Sequence, residues 1–181
     1  MAIKVSVYIA VSLDGFIARK NGDIDWLPAD DESGEDYGYA GFISSVDQLV
    51  MGRHTYEKVL TFDAWPYPDR QVIVLSSGHP HIPTELADKV EVLDQSPHDL
   101  LVTLAGRGIR HVYLDGGKAI QRFLNEGLVD EMTVTSIPIL IGEGLPLFGP
   151  LKHDIKFKLV ESRSFKNGLV QSKYRAEGDN N

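Results

Sequence analysis

The sequence predicts an α/β protein: a three-layer α/β/α sandwich around a mainly parallel sheet, with an antiparallel hairpin at its carboxyl end. Up to residue 125, short apolar runs alternate with segments of helical character, as expected for a parallel sheet with crossover helices. Beyond residue 130, strand-like runs follow one another with no helix between them. Asn167-Gly168, between the last two runs, is a strong hairpin signal.

Periodicity and apolar content identify the strands. Ile3, Val5, Val7 and Ile9 alternate with other residues, which indicates a strand with one buried face. The run Gln71–Leu75 is almost entirely apolar, which is typical of a strand covered on both faces. The predicted strands are Ile3–Ala10, Gln48–Met51, Gln71–Leu75, Val90–Leu93, His111–Leu114, Glu131–Ile137, Ile155–Ser164 and Leu169–Arg175.

Capping residues place the helices between these strands. Ser96 is a suitable N-cap with Pro97 in the first helical position, and Gly127 ends a helix further along the chain. Two long segments rich in Gly, Asp or Pro, residues 12–35 and 138–150, are predicted as loops. The predicted helices are 36–46, Thr55–Leu60, Pro97–Ala105 and Ala119–Asn125.

Composition narrows the class of protein. A chain of 181 residues favours one domain, which we place at 1–176 and follow with a polar tail at 177–181. The formal net charge of −8 argues against a nucleic-acid surface, although a local basic pocket can still bind a small anion. No cysteine is present, and the histidines lack the spacing of metal ligands. No run has the length of a membrane span, so we expect a cytoplasmic protein without membrane contact.

Three short motifs, each following a strand-like run, carry the functional signal. They are Met51–Glu57, Leu75–Ser77 and Leu114–Ile120. The carboxyl ends of parallel strands gather at one edge of a sheet, so we expect these three turns to converge on one ligand. Their backbone N–H groups, hydroxyls, one arginine and one lysine suit a phosphorylated cofactor.

In their order and spacing these motifs resemble the dihydrofolate reductase superfamily. Within it, the chain is most similar to stand-alone proteins like the C-terminal reductase domain of the bifunctional riboflavin-biosynthesis deaminase-reductase. The segments that carry the resemblance are 9–18, Met51–Glu57, Val72–Ser77, Leu114–Lys118 and 127–148. The resemblance implies a dihydrofolate reductase-like fold, NADPH as cofactor and a homodimer.

The resemblance also assigns roles to residues at the three motifs. Arg53 is expected to pair with the 2′-phosphate of NADPH, and Ala10 and Ile17 to hold the nicotinamide carboxamide. An ordinary capped helix with a surface arginine is the alternative interpretation at Arg53. The predicted cofactor-binding residues are Ala10, Ile17, Gly52, Arg53, Thr55, Ser76, Ser77, Gly116, Gly117 and Lys118.

Three further residues resemble the substrate site of true dihydrofolate reductases. Asp36 has the spacing of the pterin-binding carboxylate, Thr135 matches its threonine partner, and Arg70 matches the arginine that holds the folate tail. Asp36 is therefore the candidate for polarising the substrate and supplying a proton. The alternative is that Asp36 is one more charge in an acidic loop.

We therefore expect NADPH-dependent reduction of a small heterocyclic substrate. The substrate most suggested by the C-terminal half is the phosphoribosylamino-pyrimidine of riboflavin biosynthesis. Dihydrofolate reductase is the alternative enzyme, and an NADPH-binding paralogue without catalysis is the alternative from another functional class.

Overall fold

A computed structural model describes residues 3–28 and 34–178, so most of the predicted tail lies outside the described residues. The strands are β1 (Lys4–Ser12), β2 (Phe16–Ala18), β3 (Gln48–Gly52), β4 (Val72–Leu75), β5 (Val90–Leu93), β6 (His111–Asp115), β7 (Glu131–Ile137), β8 (Leu145–Pro146), β9 (Phe157–Ser164) and β10 (Val170–Ala176). The helices are α1 (Tyr39–Ser44), α2 (Arg53–Val59), α3 (Pro97–Gly106) and α4 (Gly117–Asn125), with a 3-10 turn at Thr84–Leu86.

Eight of the strands form one sheet in the order β5-β4-β3-β6-β1-β7-β10-β9. The pairs from β5 to β7 are parallel, whereas β10 is antiparallel to both β7 and β9. This arrangement confirms the predicted α/β class, the mainly parallel sheet and the C-terminal hairpin.

Alternate residues of the central strands enter two separate cores, one on each face of the sheet. Leu49 and Met51 pack with Tyr56 of α2, and α1 contributes to the same cluster. Val50, which lies between them in β3, packs instead with Phe123 of α4, and α3 contributes to that cluster. Because successive side chains of a strand point to opposite faces of the sheet, the sheet is covered by helices on both sides and the molecule has three layers.

Local sequence signals explain the helix boundaries. Ser96 caps α3 as predicted, since its hydroxyl accepts a hydrogen bond from Asp99 N at 3.1 Å and Pro97 takes the first position. The helices α2 and α4 each begin two residues earlier than predicted, at the glycine-containing turns themselves. No helix among the described residues combines the length and apolar character that crossing a bilayer requires.

Two predicted loops contain short strands, and this corrects the sequence analysis. Residues 12–35 include β2 and residues 138–150 include β8, and the two strands pair in antiparallel fashion as a second small sheet. Strands of two or three residues have no measurable periodicity. Their pairing depends on contacts between segments more than a hundred residues apart, which no local pattern reports.

The carboxyl ends of β3, β4 and β6 lie side by side. Gly52 is paired with Leu75 of β4, and Met51 is paired with Asp115 of β6. The three predicted motifs therefore leave the sheet at the same edge, as expected for parallel strands.

Candidate active site

The turn after β6 contacts the start of α2, which brings two of the predicted motifs together. Gly116 has a φ of 93°, in the left-handed region, and a Cβ at this position would overlap the Thr55 hydroxyl. The backbone nitrogen of Gly52 lies 3.5 Å from the same point. Glycine is therefore required at position 116 by its backbone conformation and by the close approach of Thr55.

The N-terminus of α4 lies against the segment that contains β2 and β8. A Cβ on Gly117 would lie 2.8 Å from Ile17 Cδ1 and 3.4 Å from the carbonyl oxygen of Pro146. The first N–H groups of a helix lack partners within the helix and favour a negatively charged ligand. This end of α4 borders Ile17, and its predicted role toward a phosphate stays a prediction.

Arg53 lies over the turn that follows β4. A Cβ on Gly78 would lie 3.0 Å from Arg53 Nη1, and the Ser76 hydroxyl accepts a hydrogen bond from Gly78 N at 3.0 Å. Arg53 Nε donates to Glu57 at 2.7 Å, and 48% of the arginine side chain is exposed. This exposure leaves part of the guanidinium accessible to a ligand at the turn.

The remaining predicted cofactor residues lie near these groups in the fold. Ser77 follows β4 and Lys118 lies in the first turn of α4, and both side chains are exposed. Ala10 is half-buried in β1, where it is paired with Thr135 of β7. The structure thus gathers the three predicted motifs at one edge of the sheet, with Ile17 beside them.

Asp115 is a residue of this edge that the sequence analysis missed. Burial raises the pKa of its carboxyl to about 6, although Oδ1 accepts a hydrogen bond from Gly116 N at 2.7 Å. The phenols of Tyr39, Tyr67 and Tyr113 lie within electrostatic range of it. Its position directly before Gly116-Gly117 is the available sequence signal, and that position is also typical of an ordinary turn.

Asp14 joins the loop after β1 to the loop before β8. Its carboxylate accepts hydrogen bonds from the Ser12 hydroxyl at 2.6 Å, from Gly142 N at 2.8 Å and from Ile141 N at 3.3 Å. These bonds, led by that of Ser12, lower the pKa of Asp14. The turn that leads into β2, the strand that carries Ile17, is therefore held by hydrogen bonds to an ionised carboxylate.

Asp36 has a different local role from the one predicted. Its carboxylate accepts hydrogen bonds from Gly38 N at 2.9 Å and from Ala40 N at 3.0 Å, at the start of α1. These two bonds lower its pKa, and the residue is exposed. A carboxylate that is ionised at neutral pH is a poor proton donor. The geometry therefore favours a capping role, and a catalytic role of Asp36 stays a prediction.

Thr135 is bonded to Gln171 and not to Asp36. Gln171 Nε2 donates to Thr135 Oγ1 at 3.0 Å and to the Tyr8 hydroxyl at 2.9 Å. The Tyr8 hydroxyl in turn donates to the carbonyl oxygen of Tyr37 at 2.7 Å. This network takes the place of the expected threonine–carboxylate pair, because Asp36 turns its carboxylate toward the backbone of α1.

Arg70 lies away from the predicted cofactor residues. Its guanidinium donates to the carbonyl oxygen of Val46, two residues before the start of β3. Gly52 is at the other end of the same strand. The contact of Arg70 is thus structural, and its predicted role toward a substrate remains a prediction.

Two aromatic residues, Trp26 and Tyr37, belong to the same small hydrophobic cluster. Trp26 is buried beside Ile137 and Leu169, and its Nε1 has no hydrogen-bond partner among the described residues. Tyr37 packs edge-on against Phe165 with ring centroids 4.9 Å apart.

Within residues 3–28 and 34–178, no cluster of three His, Asp or Glu side chains is arranged to hold a metal ion.

Comparison with known proteins places this geometry in a family. A family model described as the RibD C-terminal domain matches residues 3–171. YwjB of Bacillus subtilis (strain 168), an uncharacterized protein, is 36% identical over 181 residues, which cover 97% of this chain and 100% of YwjB.

Two solved structures extend the comparison. A Shewanella sp. PV-4 protein named for riboflavin biosynthesis superposes with a TM-score of 0.91 at 40% identity, covering 97% of this chain and 99% of the other. A diaminohydroxyphosphoribosylaminopyrimidine deaminase/5-amino-6-(5-phosphoribosylamino)uracil reductase of Thermotoga maritima superposes with a TM-score of 0.73 at 18% identity. That alignment covers 97% of this chain and 57% of the longer protein, and it shows a shared fold.

Proposed function

The chain belongs to the RibD C-terminal domain family, and we propose on this basis that it is an NADPH-dependent reductase of a small heterocyclic substrate. The substrate class that we propose is a phosphoribosylated aminopyrimidine, like the uracil derivative named for the Thermotoga maritima reductase. One observation carries the proposal: Gly52, Thr55 and Gly116 meet at the sheet edge from which Arg53 and the N-terminus of α4 also project.

The residues at this edge fit NADPH. Gly116 and Gly117 let Thr55 and Ile17 approach the start of α4 closely, and the N–H groups of this helix end suit a pyrophosphate. Arg53, over the Ser76–Gly78 turn, supplies a guanidinium for the 2′-phosphate that distinguishes NADPH from NADH. Ala10 and Ile17 would hold the nicotinamide. NADPH, when bound, supplies a hydride, and the chain supplies binding, orientation and a proton.

Asp115 is the group that we propose as the source of that proton. Hydride addition to the carbon of a C=N or C=O bond moves the electron pair of the π bond onto nitrogen or oxygen, which must then gain a proton. A carboxyl whose pKa is raised by burial to about 6 retains its proton far better than Asp36, whose pKa is lowered. Solvent reprotonates the carboxylate in each cycle.

The contacts of the described residues favour a pyrimidine over dihydrofolate. Thr135 is already bonded to Gln171, and the Tyr8 side chain lies in the same network. Arg70 is held by the carbonyl of Val46. Thr135 and Arg70 therefore make contacts other than those that the folate resemblance implies.

An assay with both substrates tests the proposal. Purified protein is mixed with NADPH and then with the phosphoribosylamino-uracil or with dihydrofolate, while the absorbance of the reduced nicotinamide is followed. We expect oxidation with the uracil derivative. Oxidation of NADPH with dihydrofolate but not with the uracil derivative would identify a dihydrofolate reductase. Binding of NADPH without its oxidation by either compound would indicate a paralogue without catalysis.

We also propose that the chain acts as a homodimer in the cytoplasm. One face of the β9–β10 hairpin carries the exposed apolar side chains of Leu159 and Val170, together with Ser162 and Ser172, and these residues bear no charge. An uncharged face of this kind suits a second copy of the same face around a two-fold axis. Sedimentation velocity tests this, and a monomer at micromolar concentration would contradict it.

A further inference from the structure

A cavity lies beside α1, over the strands β1, β7, β9 and β10. It has a volume of about 320 Å³, and its floor is formed by polar residues of β1, β7 and β10, including Ser6, Thr133 and Gln171. Tyr8 and Phe42 are stacked at 4.8 Å and form part of its wall. We call this cavity the α1 cleft.

Cations dominate one end of the α1 cleft. Lys4 and Lys173 line it, and both contact the buried carboxylate of Glu131, at 2.6 Å and 3.3 Å. Arg175 contacts the same carboxylate at 2.9 Å from outside the lining. Three cations therefore share one carboxylate, which leaves an excess of positive charge on a chain whose net charge is −8.

The opposite wall adds a further cation. Arg163 lines the cleft from β9 with its guanidinium 5.2 Å from the centre of the Phe165 ring, a stacking contact that leaves its N–H donors available. Glu161 also lines this wall. Glu161 is paired with Lys173 of β10, and Arg163, Asp36 and Glu35 all lie within electrostatic range of Tyr8.

The helix wall of the cleft has no side chains at two positions. Gly38 and Gly41 both line it, and a Cβ on either would meet no atom within 4 Å. Gly41 lies inside α1, where glycine is one of the weakest helix formers. Packing within the chain does not require a glycine there, so its effect is to keep the cleft open beside the helix backbone.

We infer that the α1 cleft binds the anionic group, a phosphate or a carboxylate, of the substrate, with Arg163, Lys173 and Lys4 as the recognising cations. The inference rests on the proposed function, because it assigns the cleft to the substrate. Arg163 is paired with Gln171 of β10, which is paired with Thr135 beside Ala10, so the cleft extends to the level of Ala10, where the reacting bond would lie.

Calorimetric titration with small probes tests the inference without NADPH. The probes are ribose 5-phosphate, gluconate as a carboxylate, and ribose as the uncharged control. We expect the anionic probes to bind at least tenfold more tightly than ribose, and the stronger of the two identifies the group. Arg163→Gln and Gly41→Leu should each weaken that binding about tenfold or more.

Lys158→Gln is the matched control, because Lys158 is an exposed cation of the same strand that does not line the α1 cleft. Equal losses in Lys158→Gln and Arg163→Gln, or equal binding of ribose and both anions, would overturn the inference. Circular dichroism confirms that each variant is folded. A separate NADPH titration distinguishes the two proposals: NADPH binding without probe binding rejects the cleft alone, and probe binding without NADPH binding rejects the cofactor.

Discussion

Glu131 shows how one buried carboxylate can connect several strands. It is 7% exposed and lies in β7, where it pairs with cations from β1 and β10. Burial alone would raise its pKa, but the bonds from Lys4 and Arg175 and the charge of Lys173 outweigh burial and lower the pKa to about 2. The folded state therefore prefers the ionised form far more strongly than the unfolded chain does.

Glu131→Gln should lower the free energy of unfolding by about 2–3 kcal/mol at pH 7. Because the pKa is depressed in the folded state, this stabilisation is present above pH 4.5 and is lost as the pH falls toward 2. Urea unfolding of both proteins between pH 7 and pH 3 measures the effect. A difference that stays constant over this range would contradict the assignment.

Asp115 differs from Glu131, because the folded state raises the pKa of Asp115 and lowers that of Glu131. The group stabilises the fold fully below its ordinary pKa of 3.8, and this contribution is lost as the pH rises through about 6. Asp115→Asn should therefore be more stable than the wild type at pH 8, by about 2–3 kcal/mol.

The same Asp115→Asn variant should lower kcat by about a hundredfold or more, since an amide cannot donate the proton. Its NADPH affinity should change little. The wild-type kcat should fall as the pH rises through about 6, and the variant should lack this dependence. Loss of NADPH affinity equal to the loss of kcat would show that Asp115 acts on cofactor binding instead.

At the scale of the element, the glycine turn before α4 is the feature that is most sensitive to substitution. Gly116→Ala places a Cβ against Thr55 and also strains a φ of 93°. We expect at least a tenfold loss of NADPH affinity. Gly108→Ala is the matched control, because its φ is 81° and its Cβ would meet no atom within 4 Å.

Both variants should lose about 1–2 kcal/mol of stability from the left-handed backbone. Equilibrium NADPH titration of the two variants distinguishes the effect of backbone strain, which both share, from the effect of the Cβ contact with Thr55, which only Gly116→Ala introduces. Similar NADPH affinities in Gly116→Ala and Gly108→Ala would show that the turn does not approach the cofactor.

The sequence was sufficient for features that depend on local signals. The apolar runs and the glycines at their ends predicted the main strands, the sheet edge and the convergence of Gly52, Thr55 and Gly116. The pairing of β2 with β8 could not be predicted, because each strand is too short for a pattern.

Features built from distant segments were missed for a related reason. The surroundings of Asp115 include tyrosines from three separate parts of the chain, each within electrostatic range of its carboxyl. The cations of the α1 cleft come from β1, β9 and β10, and each is an ordinary strand residue when considered alone. Asp36 had the correct spacing for a substrate carboxylate, but spacing does not report that the α1 backbone occupies its oxygens.

At the scale of the whole molecule, an acidic chain carries two sites suited to anions. The first is the sheet edge with Arg53 and the N-terminus of α4, and the second is the α1 cleft. Local positive charge can concentrate an anionic ligand on a protein of opposite net charge. The first site lies at the carboxyl ends of β3, β4 and β6, and the second is lined by residues of β1, β7, β9 and β10.

The central claim is that the sheet edge binds NADPH, and a paired titration of wild type and Arg53→Ala with NADPH and NADH tests it most directly. We expect the wild type to prefer NADPH and the variant to lose at least tenfold in NADPH affinity while its NADH affinity changes little. Glu57→Gln controls for loss of the Arg53–Glu57 pair. Failure of the wild type to bind NADPH, or an unchanged preference in Arg53→Ala, would contradict the account.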